Sequence, residues 1–109
     1  MQYQNRRAAL NDAFRRSFEG GRVMVTRGIA ALHPFIQGNI LFEVRRFNAF
    51  DGQSDPYGEH DFGAIEVDGA GKVIWKIDCY APDMSFDGDG SLNTALTSRV
   101  LTIMLAEEF

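Results

Sequence analysis

Residues 5–18, NRRAALNDAFRRSF, place Ala9 or Leu10, Ala13 or Phe14, and Phe18 at helical spacing, with Arg6, Arg7, Asp12, Arg15 and Arg16 elsewhere on the wheel. The pattern predicts an amphipathic helix whose charged residues face water. Gly20 and Gly21 follow, and glycine supplies the positive-φ residue that commonly ends a helix. RVMVTRG (22–28) then alternates Val23 and Val25 against Arg22, Met24 and Thr26, which predicts a half-buried strand. In HPFIQGNILFEVRRF (33–47), Pro34 suits a first helical position. Phe35 or Ile36, Ile40, Val44 and Phe47 recur there at helical spacing, so a second helix is expected.

A loop containing Asp51-Gly52, Pro56 and Gly58 separates that helix from two period-2 segments, DFGAIEVD (61–68) and KVIWKIDCY (72–80). The short connection Gly69-Ala70-Gly71 forces an antiparallel hairpin. The expected register sets 67 opposite 73, 65 opposite 75 and 63 opposite 77. It lines Ile65, Val67, Val73, Trp75, Ile77 and Cys79 along one apolar face. The other face is mixed: His60, Phe62, Ala64 and Glu66 across from Ile74, Lys76, Asp78 and Tyr80. A second loop, 81–93, leads to a final stretch in which Leu96, Val100 and Ile103 or Met104 form a stripe. This predicts a third helix over 94–107, capped by Ser91 or Asn93. The expected architecture is one α+β domain over residues 1–109, with a three-stranded antiparallel sheet built on the central 61–80 hairpin and covered by about three helices.

Length and composition agree with this. At 109 residues, 45% hydrophobic and 24% charged, the chain suits a single core without staples. No run reaches the roughly 18–20 apolar residues that span a bilayer. The first residues lack the apolar segment of a secretory signal, so a cytoplasmic protein with no membrane partner is expected. Cys79 is the only cysteine, which excludes an intrachain disulfide; on the apolar face it should be buried and inert, with Trp75 beside it as core anchor.

The net charge of −4 hides an asymmetry. Up to Asn48 there are eight arginines against Asp12, Glu19 and Glu43, a balance of +5; from Ala49 onward twelve carboxylates face Lys72, Lys76 and Arg99, a balance of −9. The arginine pairs 15/16 and 45/46 are not interleaved with exposed aromatics, so direct nucleic-acid binding is not expected. A solvated helix face with ion pairs to the acidic loops accounts for them.

The chemistry-bearing stretch is DPYGEHDFG (55–63). Asp55-Pro56-Tyr57-Gly58 is good β-turn material, which explains half of it without function. His60 is placed on one face with Asp78 and Tyr80, while Glu59 and Asp61 point away. Two or three ligands of this kind make a weak metal site, so no cofactor is expected, with His60 and Asp78 as the weak metal candidates. Asp87-Gly88-Asp89-Gly90-Ser91 fails the calcium-loop pattern, because Leu92 and Ser98 stand where glycine and glutamate are required. A solvated turn is the better reading of it. The carboxylates of both loops, adjoining the hairpin, would form a patch attracting a basic partner. Asp51, Asp55, Tyr57, Glu59, His60, Asp61, Asp83, Asp87 and Asp89 are the partner-binding candidates.

The runs GGRVMVTRGIAAL (20–32), DPYGEHDFGAIEVDG (55–69), WKIDCYAPD (75–83) and LTIMLAEEF (101–109) resemble the family of small proteins known as domain of unknown function 3768. The resemblance implies a setting on plasmids and other mobile elements, and brings no catalytic assignment. By analogy with small acidic proteins of such elements, the leading expectation is a non-enzymatic inhibitor or regulator of a host nucleic-acid-directed defence complex, of anti-CRISPR or anti-restriction type. Its partner would present a basic protein surface, within a nucleoprotein complex in the extended form of the reading. The alternatives are a small metal-dependent hydrolase using His60 and Asp78, and a homo-oligomeric module, a dimer in its simplest form, pairing through an open sheet face or Phe109.

Overall fold

The computed structural model describes residues 6–80 and 98–109. In chain order it holds α1 (Arg6–Ser17), β1 (Gly21–Val25), the single turn α2 (Arg27–Ala30), α3 (Pro34–Arg46), β2 (Phe62–Val67), β3 (Gly71–Tyr80), β4 (Ser98–Leu105) and a closing 3₁₀ turn at Ala106–Glu108. The α+β class and the count of three helices stand, although the third helix is the short α2 and not the one expected over 94–107. The sheet does not: it has four strands in the order β1-β4-β3-β2 and is mixed, since β1 runs parallel to β4.

The correction comes from the last segment. Residues 98–105, expected within a helix, are the second of two central strands, hydrogen-bonded to β1 on one side and β3 on the other. Val100, Leu101, Ile103 and Met104 are all buried, so both faces of β4 are covered. A strand covered on both faces needs no polar alternation and reads as a continuous apolar run, which periodicity cannot distinguish from a buried helix. Residues 94–97 of the expected helix, and its caps Ser91 and Asn93, lie outside the described residues.

The hairpin forms with a register shifted from the expected one. Val67 pairs with Gly71, Ile65 with Val73 and Gly63 with Trp75. The slip is two residues, and an even slip keeps every side chain on its face. Val73, Trp75 and Ile77 therefore still face the helices, joining Phe14, Ile29, Ile40, Val44, Leu101 and Ile103 in the core. Gly63 is required by a close approach: a Cβ there would lie 2.5 Å from Nε1 of the buried Trp75 indole. Cys79 is half-buried rather than buried, opposite Arg99 on β4. The edge strand β1 is mostly exposed, with only Val23 half-buried.

The helices start and stop where side chains and strain dictate. α3 begins at Pro34 with His33 as N-cap, its Nδ1 accepting from Phe35 N at 3.0 Å. α1 ends at a left-handed turn through Phe18 (φ 60°) and Gly20 (φ 93°). Among the described residues no helix is long and apolar enough to cross a membrane.

Candidate functional site

α1 buries a different face from the one its apolar spacing suggests. Asn11, Asp12 and Arg15 are buried with Ala8 and Phe14, whereas Ala13 is exposed and Leu10 half-buried. Arg15 is the clamp. Its Nη1 donates to the carbonyls of Val44 (3.0 Å) and Arg45 (3.1 Å), and its Nη2 to Asp12 Oδ1 (2.8 Å). The two carbonyls belong to the last turn of α3, where orphan acceptors and the negative helix end both favour a cation. The guanidinium also lies over Phe50 and Trp75, at 5.5 and 5.1 Å from the ring centroids.

Asp12 carries this clamp outward to the 51–61 loop. Its Oδ2 lies 3.0 Å from His60 Nδ1 and 3.7 Å from Arg16 Nη2. The His60 ring stacks on Phe50, 3.9 Å between centroids and 3° from parallel, and its Nε2 lies 3.8 Å from Asp55 Oδ2. The carboxylates flanking His60 thus come from α1 and from its own loop, where the sequence placed Asp78. Lys76 pairs with Asp78 at 3.1 Å. Among the described residues no group of three His, Cys, Asp or Glu side chains is arranged to hold a metal.

The loop is fastened along its length. Asp51 Oδ1 accepts from the amides of Gln53 and Ser54, both at 2.8 Å, and these bonds hold its carboxyl below the usual range. Gly58 N donates to Asp55 O at 3.0 Å, closing the expected turn over Pro56 and Tyr57. Asp55, only 8% exposed, accepts from the amides of Glu59 and His60. Those bonds fix His60 at the unusual φ of 55°. Asn11 Nδ2 donates to Glu59 O at 2.9 Å, and Arg7 pairs with the Glu59 carboxylate at 3.3 Å. Asp61 O accepts from Ile77 N at 2.8 Å, joining the loop to β3.

This arrangement sorts the expected partner-binding residues. Asp51, Asp55, Glu59 and His60 are engaged within the protein, and Asp55 is turned inward. Tyr57 stands out, 82% exposed at the tip of the turn. Asp61 is half-buried, and burial, then the neighbouring charge of Glu59, with smaller effects from Asp55 and Asp78, push its carboxyl up. Asp83, Asp87 and Asp89, with the whole 81–91 loop, lie outside the described residues.

The sequence model described as Protein of unknown function (DUF3768) matches residues 25–108, most of the chain. The chain belongs to this family. Neither curated proteins nor solved structures give a match. The matched span of the DUF3768 member includes α3, the loop and the central strands but begins after α1. The Asp12 and Arg15 half of the site therefore lies outside it.

Asp12 and Arg15 are what sequence reasoning missed. Charged residues on a helix are mostly solvated, so spacing alone assigns both to water. The available signal was their spacing: Ala8, Asn11, Asp12 and Arg15 share a helical stripe. The arginine pairs are likewise rearranged, because Arg16, Arg45 and Arg46 gather around Phe42, which is 60% exposed. Arg45 also bonds Arg16 O, and Arg46 pairs with Glu43, so these cations have contacts within the chain.

Proposed function

We propose that this chain is a non-enzymatic binding protein that offers the 51–61 loop to a basic surface of a protein partner, and that the partner is a host nucleic-acid-directed defence complex which it inhibits or regulates. The observation that carries the binding half is Tyr57, exposed at the tip of a turn whose base is tied down by the inward carboxylate of Asp55. An exposed tyrosine on a loop already ordered loses little entropy on docking, and tyrosines are enriched among the residues that dominate interfaces. The Asp61 carboxyl is pushed up first by burial and then by the charge of Glu59, with smaller effects from Asp55 and Asp78, and this charged part of the push supports a locally negative potential beside it. The defence complex as partner rests on the mobile-element setting implied by the family resemblance.

The test is capture by immobilised full-length protein from lysate of a defence-bearing host, comparing wild type with Tyr57→Ala and Tyr57→Ala/Asp61→Asn. A basic nucleoprotein is expected to be retained by wild type in a salt-sensitive manner and lost by the variants, with the melting temperature unchanged in Tyr57→Ala and not lowered in Tyr57→Ala/Asp61→Asn. Equal retention by Tyr57→Ala sinks the loop as the docking element. Capture without any effect on defence activity in cells sinks the inhibitor reading alone.

A further inference from the structure

We propose that the cleft between α1 and the beginning of β4 binds a small carboxylate with an apolar body, with Arg99 as its counter-ion. The chain buries two arginines and treats them very differently. Arg15 meets a carboxylate, two carbonyls and two aromatic faces. Arg99, 3% exposed on the helix-facing side of β4, donates from Nε to Asn11 Oδ1 at 3.0 Å. That acceptor is a neutral amide. Its Nη2 is buried with no hydrogen-bond partner, and no carboxylate lies within ion-pair distance of it among the described residues. Arginine cannot shed its proton, so neutralisation is no escape from the cost of an unpaired buried cation. An anion supplied from outside is.

The surroundings define that anion. Arg99 lines a cleft of about 340 Å³ whose walls include Leu10, Ala13 and Phe14, with Ser17 and Glu19 as the other polar side chains. Leu10, Ala13 and Phe14 belong to the apolar stripe of α1, and Ala13 is exposed there rather than covered. The helix thus turns hydrocarbon toward an open space with a buried cation in its wall. The single guanidinium can balance one negative charge, and the lining Glu19 opposes any second one, which disfavours a doubly charged phosphate. The apolar wall favours a hydrocarbon chain over a purely polar acid.

Hexanoate is the probe. In full-length protein, titration to about 10 mM is expected to shift the Arg99 Nε–H resonance saturably, a range that detects millimolar or tighter affinity. Neither inorganic phosphate nor hexylamine is expected to match it. Arg99→Gln should abolish binding, and Ala13→Trp, which fills the cleft from an exposed helix position, should weaken it by about tenfold or more. Glu19→Gln should tighten binding by removing the competing carboxylate. Should Arg99→Gln fail to fold, the Ala13 and Glu19 variants decide between them. No saturable shift, an equal response to phosphate, binding unaffected by Ala13→Trp, or weaker binding by Glu19→Gln each overturns the proposal.

Discussion

Arg15 Nη2 donates to Asp12 Oδ1 at 2.8 Å, and both side chains are shut away from solvent, with the guanidinium over Phe50 and Trp75. Three parts of the protein meet at this pair: α1 carries it, the last turn of α3 supplies carbonyls to Arg15, and the 51–61 loop reaches Asp12 through His60. Removing one partner of a buried pair strands the other charge. Asp12→Ala is therefore expected to cost about 3–5 kcal/mol, measured by urea denaturation. Arg15→Met in the same background should recover much of that loss, since the stranded cation goes with it. A double variant as unstable as Asp12→Ala would show that the pair's worth lies in contacts other than charge compensation.

Gly63→Ala tests the approach of β2 to Trp75. The new methyl would sit 2.5 Å from the indole nitrogen, and the indole, fixed in the core against Phe47 and Phe50, has little room to yield. A loss of about 1–3 kcal/mol is expected by thermal or chemical denaturation. A neutral substitution would mean that β2 can shift freely along the hairpin.

Asp61 gives the loop a pH dependence of known sign. Its carboxyl is raised, chiefly by burial and by Glu59, so the folded protein holds that proton more tightly than the unfolded chain does. The contribution to stability is present below the ordinary carboxylate range and is lost as pH rises through the raised value. Asp61→Asn is expected to flatten the stability profile in that window and to be the more stable form at neutral pH. Denaturation midpoints measured across the window check this, and parallel profiles for the two proteins would refute it.

Glu108 behaves in the opposite sense. Bonds from Thr26 Oγ1, Leu105 N and Gly28 N hold its carboxyl below the usual range and tie the closing 3₁₀ turn to the start of α2. The stability it contributes is present above the ordinary carboxylate range and lost as pH falls through the lowered value. Glu108→Gln should speed amide hydrogen exchange at Gly28 and Leu105 at neutral pH, leaving the central strands protected. Unchanged exchange at both amides would show that those bonds do not restrain the turn.

How far each feature was legible depended on how local its cause is. The 6–17 helix, the Pro34 start of α3 and the two faces of the hairpin follow from spacing, proline and glycine alone. The turn at Asp55 and Tyr57 was equally readable, because proline and glycine preset its backbone. His60 stands out in the sequence, but strand alternation pairs it with Asp78, whereas its left-handed backbone takes it out of that alternation and toward Asp12 and Asp55.

The sequence by itself determined where the chain turns, which residues alternate, and that a proline–glycine turn carries Tyr57 among carboxylates. Only the tertiary structure decided that 98–105 is a central strand, because an apolar run becomes helix or strand according to whether β1 and β3 stand ready to take its backbone hydrogen bonds. It likewise decided that Asp12 and Arg15 lie inside. Burial of a charge becomes tolerable when distant segments supply the opposing charge, carbonyls and rings, and those partners come from α3, Phe50 and Trp75, each more than a helix length away along the chain.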